Sequence, residues 1–393
     1  MAIGSDCSDL RRVLIVTGEA SGDLHGANLI KAAQDMDPQL SFFGVGGEKM
    51  DSAGCEIIIP SSELAVMGLV EVVRHLPRIW NVFQRLKSIL HSENPPDVLV
   101  LIDSPDFNLR LAKQAKKVGI PVLYYVSPQV WAWRRGRVKG ISAVVDRLAA
   151  IFPFEPEYYR GLPIDARYVG HPLLDEAKLS LPTVEYRSQY DFDANETVVG
   201  LFPGSRSNEL KYSFPTIVET AQRILAAHPD VRFMVPLAPG VNKGDLQFSF
   251  DQAGVEVTFV RDSIYDTAAA CDVVLCVSGT VTLQIALVET PMVILYKAAP
   301  LTYAVGKHLV SVEHFGLPNI VADKRVVQEY VQHEASSETL FAEVDKILTD
   351  EEYRTVMKEN LSQVKTKMGE PGCSTRVAQM VVELSCQNTL KES

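Results

Sequence analysis

The stretch Asp97-Val-Leu-Val-Leu-Ile-Asp-Ser-Pro-Asp-Phe-Asn108 decides the fold. Its five consecutive apolar residues, 98–102, lie between turn residues, as in a short strand buried on both faces of a parallel sheet. Asp103 stands at the carboxyl end of that strand, and Asp106 follows three residues later. Open α/β sheets bind their ligands outside the carboxyl ends of the strands. An acid placed there either does chemistry or caps the helix that follows. Similar apolar runs recur at 11–17, 40–45, 121–126, 147–151 and 166–169, and again at 198–202, 231–235, 255–260, 272–277 and 292–295. Helical periodicity alternates with them, over 24–34, 79–90, 108–118, 214–227 and 280–289. Three more helices are expected near 337–348, 351–368 and 374–386. The reading is an α/β protein with two Rossmann-like domains facing a cleft.

The expected boundaries are 1–172 for the first domain, 173–195 for a polar linker carrying Pro182, 196–365 for the second domain and 366–393 for a terminal helix. The 393-residue chain has the composition of a globular protein. Its net charge of −11 argues against nucleic-acid binding as the main task. The six cysteines are scattered and form no C-x-x-C pair, as expected of free thiols in a reducing cytoplasm. No apolar run approaches the roughly 18–20 residues of a membrane span, and residues 1–10 do not read as a signal peptide. No metal or cofactor is expected. Asp191-Phe192-Asp193 lacks companion ligands, and no H-E-x-x-H or Cys/His cluster is present.

Gly18-Glu19-Ala20-Ser21-Gly22-Asp23 makes a glycine-rich first turn without G-x-G-x-x-G spacing. Its two acids suit sugar hydroxyls better than phosphate. Residues 63–80 are crowded with apolar side chains but also carry Arg74 and Arg78. The segment is either a buried helix or a surface helix whose apolar side meets lipid. The segment 131–139 interleaves Trp131 and Trp133 with Arg134, Arg135, Arg137 and Lys139. Those cations meet a phosphate or headgroup, or are solvated; a nucleic-acid patch this short is disfavoured. In the second half, Gly204-Ser205-Arg206 and Ser278-Gly279-Thr280 bring amides, hydroxyls and a guanidinium to strand ends, a suitable pyrophosphate site.

These residues resemble the lipid-A-disaccharide synthase family. The resemblance is carried by Thr17-Gly-Glu-Ala-Ser-Gly-Asp23, Glu63-Leu-Ala-Val-Met-Gly68, Ile102-Asp-Ser-Pro-Asp-Phe-Asn108, Tyr125-Val-Ser-Pro-Gln-Val-Trp-Ala-Trp-Arg134, Pro203-Gly-Ser-Arg206, Ser278-Gly-Thr280 and Leu317-Pro-Asn319. It spans nearly the whole chain in order. It implies the two-domain GT-B glycosyltransferase fold and an inverting, metal-independent hexosyltransferase. The implied reaction joins UDP-2,3-diacylglucosamine to 2,3-diacylglucosamine 1-phosphate (lipid X) on the cytoplasmic face of the inner membrane. Some members are homodimers that exchange C-terminal elements.

On that resemblance Asp103 is the expected general base, with Asp106 the second candidate. Gly204, Ser205, Arg206, Ser278, Gly279, Thr280, Gln284 and Asn319 are expected on the nucleotide. Gln284 stands where related enzymes usually place Glu for the ribose. Gly18, Glu19, Ser21, Gly22, Asp23, Asn108, Ser127, Trp133 and Arg134 are expected on the acceptor or sugar, and Val66, Met67, Leu69 and Val70 on the membrane. The competing readings are another GT-B UDP-sugar enzyme and a sugar-nucleotide-binding module without catalysis. An acid kept at a strand end argues against the second.

Overall fold

Among the described residues thirteen strands form two sheets, and each pairs in parallel with its neighbours. The coordinates are a computed structural model and describe residues 10–64, 69–133, 135–300, 303 and 313–389. The chain divides into two units, one running to Pro172 and resuming at Pro371, the other spanning Leu173–Glu370.

The sheet of the first unit holds β1 (Arg11–Thr17), β2 (Leu40–Gly46), β3 (Glu56–Pro60), β4 (Val98–Ile102), β5 (Val122–Tyr125), β6 (Arg147–Ala150) and β7 (Asp165–Tyr168), in the order β3-β2-β1-β4-β5-β6-β7. The second sheet holds β8 (Val198–Phe202), β9 (Arg232–Pro236), β10 (Thr258–Val260), β11 (Val273–Val277), β12 (Met292–Tyr296) and β13 (Gln328–Val331), in the order β10-β9-β8-β11-β12-β13. Each order reverses once, between β1 and β4 and between β8 and β11. The chain connections leave such a switch point on opposite faces, which opens a crevice at the carboxyl ends of the two strands.

Strands β4, β8 and β11 are buried at every position, as their unbroken apolar runs require. β3 and β13 were not legible in the sequence. They are edge strands with few fully buried residues, so the apolar run of each is shorter than in the core strands. Three aspartates fix the amino ends of strands by accepting from the backbone of a neighbour. Asp97 accepts from Arg12 N at 2.7 Å, Asp146 from Val122 N at 2.9 Å and Asp272 from Val198 N at 2.8 Å.

Helix α1 (Ala20–Met36) follows β1, and α2 (Glu48–Ser52) follows β2. Helix α3 (Leu69–Leu90) is continuous where two apolar segments were expected. Its later half sends Val82, Leu86 and Leu90 into the core. Leu76 and Trp80 are instead 52% and 60% exposed. Helix α4 (Pro105–Lys117) begins three residues earlier than its apolar face suggests, because Pro105 suits the first helical turn.

Residues 173–195, expected as a linker, are built into the second unit. Tyr186 and Arg187 are buried, and Arg187 donates to Ala270 O, Ala194 O and Glu196 O and pairs with Asp272 at 3.0 Å. The segment's polar composition hid a buried cation whose partners are backbone carbonyls.

The last helix, Cys373–Thr389, belongs to the first unit and packs on α1. Arg11 donates to Ser385 Oγ at 2.9 Å, and the buried Arg147 on β6 pairs with Glu383 at 2.6 Å. Hydrogen bonds to a buried charge contribute about 1.5–3 kcal/mol each. Glu383→Ala leaves Arg147 with Asp165 at 3.5 Å as its remaining carboxylate. The expected result is a loss of about 2 kcal/mol in chemical denaturation. An unchanged midpoint would show that Asp165 suffices.

Candidate active site

The turn after β4 is the most constrained backbone of the first unit. Asp103 and Ser104 both lie in the left-handed region, at φ 50° and 44°. Val126, just past β5, does the same at φ 63°, an unusual conformation for a β-branched residue. Such residues cost roughly 1–3 kcal/mol each and persist only where their surroundings hold them. Here the restraint is visible. The Asn108 side-chain amide donates to the carbonyls of Ile102 at 3.1 Å and Asp103 at 2.7 Å. The Tyr124 hydroxyl donates to the same Asp103 carbonyl, and Asp103 N donates to Tyr125 O at 3.2 Å. Asn108 is fully buried, and its amide holds the turn that presents Asp103.

The sheet register sets Asp103 beside the first turn, because Thr17 at the end of β1 pairs with Ile102 at the end of β4. The two turns pack closely, and a Cβ on Gly18 would come within 2.8 Å of Ser104 Oγ. Burial raises the Asp103 carboxyl above the usual carboxylate range. The Glu19 charge raises it further, and the Ser104 backbone N–H works in the opposite direction. Asp106, by contrast, is a solvent-exposed residue of the first turn of α4 and pairs with Arg137 at 2.9 Å. Of the two candidates, only Asp103 sits at the switch point. The Arg137 contact also accounts for one cation of the 131–139 segment.

Asp23, expected at the sugar, is spent on structure. Its carboxylate accepts from Gly47 N at 2.7 Å, Lys49 N at 3.1 Å and Met50 N at 3.3 Å, and so caps α2. Glu19 and Ser21 remain exposed on the same turn, and Gly22 fits closely against Thr17. Ser127 is buried, its hydroxyl donating to Pro128 O at 3.2 Å. Val66, Met67 and Arg134 lie outside the described residues. Only the backbone is described for Leu69, Val70 and Trp133, which lie on α3 and on α5 (Val130–Trp133).

In the second unit the pairing of Phe202 with Cys276 sets the turns after β8 and β11 side by side. Gly204 takes φ 92°, and a Cβ there would meet Glu209 Oε2 at 2.4 Å. The sequence reading missed Glu209. Its carboxylate accepts from Ser205 N at 2.9 Å and Arg206 N at 3.1 Å and pairs with the Arg206 guanidinium at 3.4 Å. Those amides are therefore already occupied, while the Arg206 side chain is 80% exposed. The other turn differs. The helix Thr280–Leu287 starts at Gly279 with no side-chain cap, and Thr280 is exposed. Ser278 donates its hydroxyl to Phe315 O at 3.1 Å. Gln284 lies one turn into that helix and is partly buried.

Lys297 follows β12 at the same sheet edge and was also missed, since a lone lysine after a buried strand carries no motif. It donates to Thr216 Oγ1 at 2.7 Å, and burial lowers its ammonium below the usual lysine range. Asn319 is not at the edge. It is fully buried, donates to Val327 O and accepts from the amides of Val326 and Val327. Among the described residues no group of His, Cys, Asp and Glu could hold a metal ion.

Two switch-point sheets, one presenting a strained carboxylate and the other a cation beside an uncapped helix start, define a GT-B glycosyltransferase. The fold is similar to that of a UDP-GlcNAc 2-epimerase from Neisseria meningitidis bound to UDP-GlcNAc, with TM-score 0.57, 12% identity and coverage of 96% of this chain and 100% of that one. It is similar also to MurG from Acinetobacter baumannii, with TM-score 0.59, 12% identity and coverage of 95% and 99%. The lipid-A-disaccharide synthetase family profile matches residues 13–382. The lipid-A-disaccharide synthase of Syntrophotalea carbinolica is 57% identical over 95% of both chains, and that of Geobacter sulfurreducens is 48% identical over 95% of this chain and 97% of its own. The chain belongs to the lipid-A-disaccharide synthase family. A lipid-A-disaccharide synthase is a glycosyltransferase, so the catalytic reading stands over the binding module.

Asp23 and Arg206 separate structure from chemistry. Asp23→Ala should lower stability by about 1–2 kcal/mol, the usual loss of a helix cap, with kcat nearly unchanged. Arg206→Ala should leave stability within about 0.5 kcal/mol, as is usual for an exposed side chain, while weakening UDP binding and slowing turnover. Calorimetric UDP titration and denaturation of both variants check the contrast.

Proposed function

We propose that the first unit binds the acceptor, 2,3-diacylglucosamine 1-phosphate, and the second unit the donor, UDP-2,3-diacylglucosamine. The observation that carries this reading is the strained, half-buried Asp103 at the β1/β4 switch point, its carboxyl raised by burial. A base works best when its proton affinity lies near the working pH. In the reaction the acceptor's 6-hydroxyl oxygen attacks the anomeric carbon, and its proton passes to Asp103. The bond from that carbon to the diphosphate breaks, and its electron pair leaves with UDP. Attack opposite the leaving group inverts the centre to the β-1′,6 linkage.

Charge develops on the departing diphosphate and needs fixed donors. Arg206, Lys297 and the amides at Gly279–Thr280 supply them at one sheet edge. Gln284 and Ser205 are placed for the nucleoside side, and Glu19 and Ser21 for the acceptor sugar. Asp103→Asn should cut turnover by roughly 10²–10⁴ while UDP still binds. Because the base must be ionised, kcat should fall as pH drops through the raised Asp103 value, and that limb should vanish in the variant. UDP release should require both lipids. Near-wild-type turnover in Asp103→Asn would remove the base from this residue.

The acyl chains of both substrates belong in a bilayer, so the enzyme works at the inner-membrane surface. No helix among the described residues is long and apolar enough to cross it. Exposed Leu76 and Trp80 on α3 support a surface contact, and Arg78 between them is half-exposed beside Glu63 at 3.8 Å. Trp80 stacks on Phe83, and Phe83 meets Phe107 edge-on at 5.9 Å, so this face runs to the segment that carries Asp103. The double variant Leu76→Ser, Trp80→Ser should lose binding to anionic vesicles and keep its melting temperature. A large drop in melting temperature would place these side chains in the core instead.

A further inference from the structure

Glu155 is a buried acid that the reaction above does not use. It stands in the turn Glu155–Tyr159 beyond the carboxyl end of β6 and is 1% exposed. One carboxylate oxygen accepts from the Trp131 indole N–H at 3.1 Å, and the other from the amides of Ile151 and Phe152 at 3.0 Å each. Trp131 is buried too, edge-on to Phe152 and Phe154 at 5.9 and 5.4 Å, and those two rings stack at 5.5 Å. The carboxylate thus sits inside an aromatic cluster and staples the segment after β5 to the segment after β6. β5 pairs with β4, and its last carbonyl receives the Asp103 amide. The stapled segment is therefore the one that leaves the sheet beside the base.

We propose that Glu155 is a positioning residue for the acceptor: its carboxylate locks the Trp131 turn that carries the acceptor-binding segment, and protonation of that carboxylate unlocks it. This rests on the acceptor role proposed for the first unit and on the expectation that Ser127 and Trp133 of this segment meet the acceptor. All three donors favour the ionised form, because a protonated carboxyl must turn its own O–H towards a donor and give up one of the bonds. Burial opposes them and prevails, pushing Glu155 up to about 7. Tyr159, Tyr168 and His171 around it hold their neutral forms through this range. Burial pushes Tyr159 on the same turn and Tyr168 on β7 up to about 12. His171, tilted against Phe152 at 5.2 Å, is pushed down to about 3 by burial and by His25. Arg376 on the last helix acts on Tyr168, and Cys373 lies near the same tyrosine. The lock therefore responds to Glu155 itself, near neutral pH.

Two measurements test it, between about pH 5.5 and pH 8.5 so as to span the Glu155 value. The first is the intrinsic fluorescence of the protein without substrate. A step with a midpoint near 7 is expected, absent from both Glu155→Gln and Trp131→Phe. The second is turnover with both lipids. In wild type the acceptor KM should rise about tenfold as pH falls through that midpoint, the scale of one lost charged hydrogen bond. Donor KM should stay flat, and the Asp103 limb should appear in kcat. Glu155→Gln should show the raised acceptor KM at every pH. Trp131→Phe, which keeps a ring but removes one donor to the carboxylate, should move the KM midpoint to higher pH. A variant with purely structural damage would lose stability without moving that midpoint. A pH-flat emission in wild type, an acceptor KM unchanged in Glu155→Gln, or a midpoint unmoved in Trp131→Phe would overturn the proposal. If wild type releases no UDP from the two lipids while the emission step persists, the acceptor reading itself fails, and the lock on that segment has no substrate to serve.

Discussion

The side-chain amide of Asn108 bridges two carbonyls that the sheet leaves behind, and the first unit's chemistry depends on that bridge. β4 ends at the switch point, where the Asp103 amide makes one last bond to the neighbouring strand, to Tyr125 O at 3.2 Å. An unpaired carbonyl at a half-buried edge costs about 1–3 kcal/mol. Asn108 satisfies those of Ile102 and Asp103 from inside α4, and Tyr124 adds a second donor to the Asp103 carbonyl. This restraint offsets the strain of two consecutive left-handed residues. A relaxed turn would let the carboxylate swing into solvent and lose the burial that raises its proton affinity.

The electrostatics of the two units are opposite and match the two halves of a transfer. In the first unit, Glu19 and the low polarity around β4 favour proton uptake by Asp103, which suits a base. In the second unit, cations gather at the carboxyl edge, where a diphosphate would be held. The exposed Leu76 and Trp80 also fit substrates whose apolar chains stay in a bilayer.

The strands of both cores were legible because continuous apolar runs of about five residues have few other solutions in a chain this long. The boundaries of β8 and of the helix Phe214–Ala227 follow directly from the pattern. The carboxyl-end positions of Asp103, Arg206 and Ser278 follow from those runs. What each side chain does at its position was less legible. Asp23, Asn108 and Asn319 are polar residues in motif-bearing stretches, and each serves the backbone instead. A short motif records that a residue type is required; it does not distinguish a ligand contact from a cap, because both use the same acceptor oxygen. Glu209 and Glu155 show the converse. Neither stands in a quoted motif, yet each takes up several donors that only the folded chain brings together.

Glu209 bears most directly on how the donor is held. Its carboxylate already makes the contacts that a phosphate would make with the Ser205 and Arg206 amides, so that helix start is not open to an incoming anion. Among the described residues the neighbouring start at Gly279–Thr280 has no side-chain cap. A diphosphate seated there would gain the positive end of the helix dipole, about half a unit charge. Arg206 is exposed on the adjacent turn and tethered at its base by Glu209. One turn is thus satisfied from within, while the adjacent helix starts without a side-chain cap.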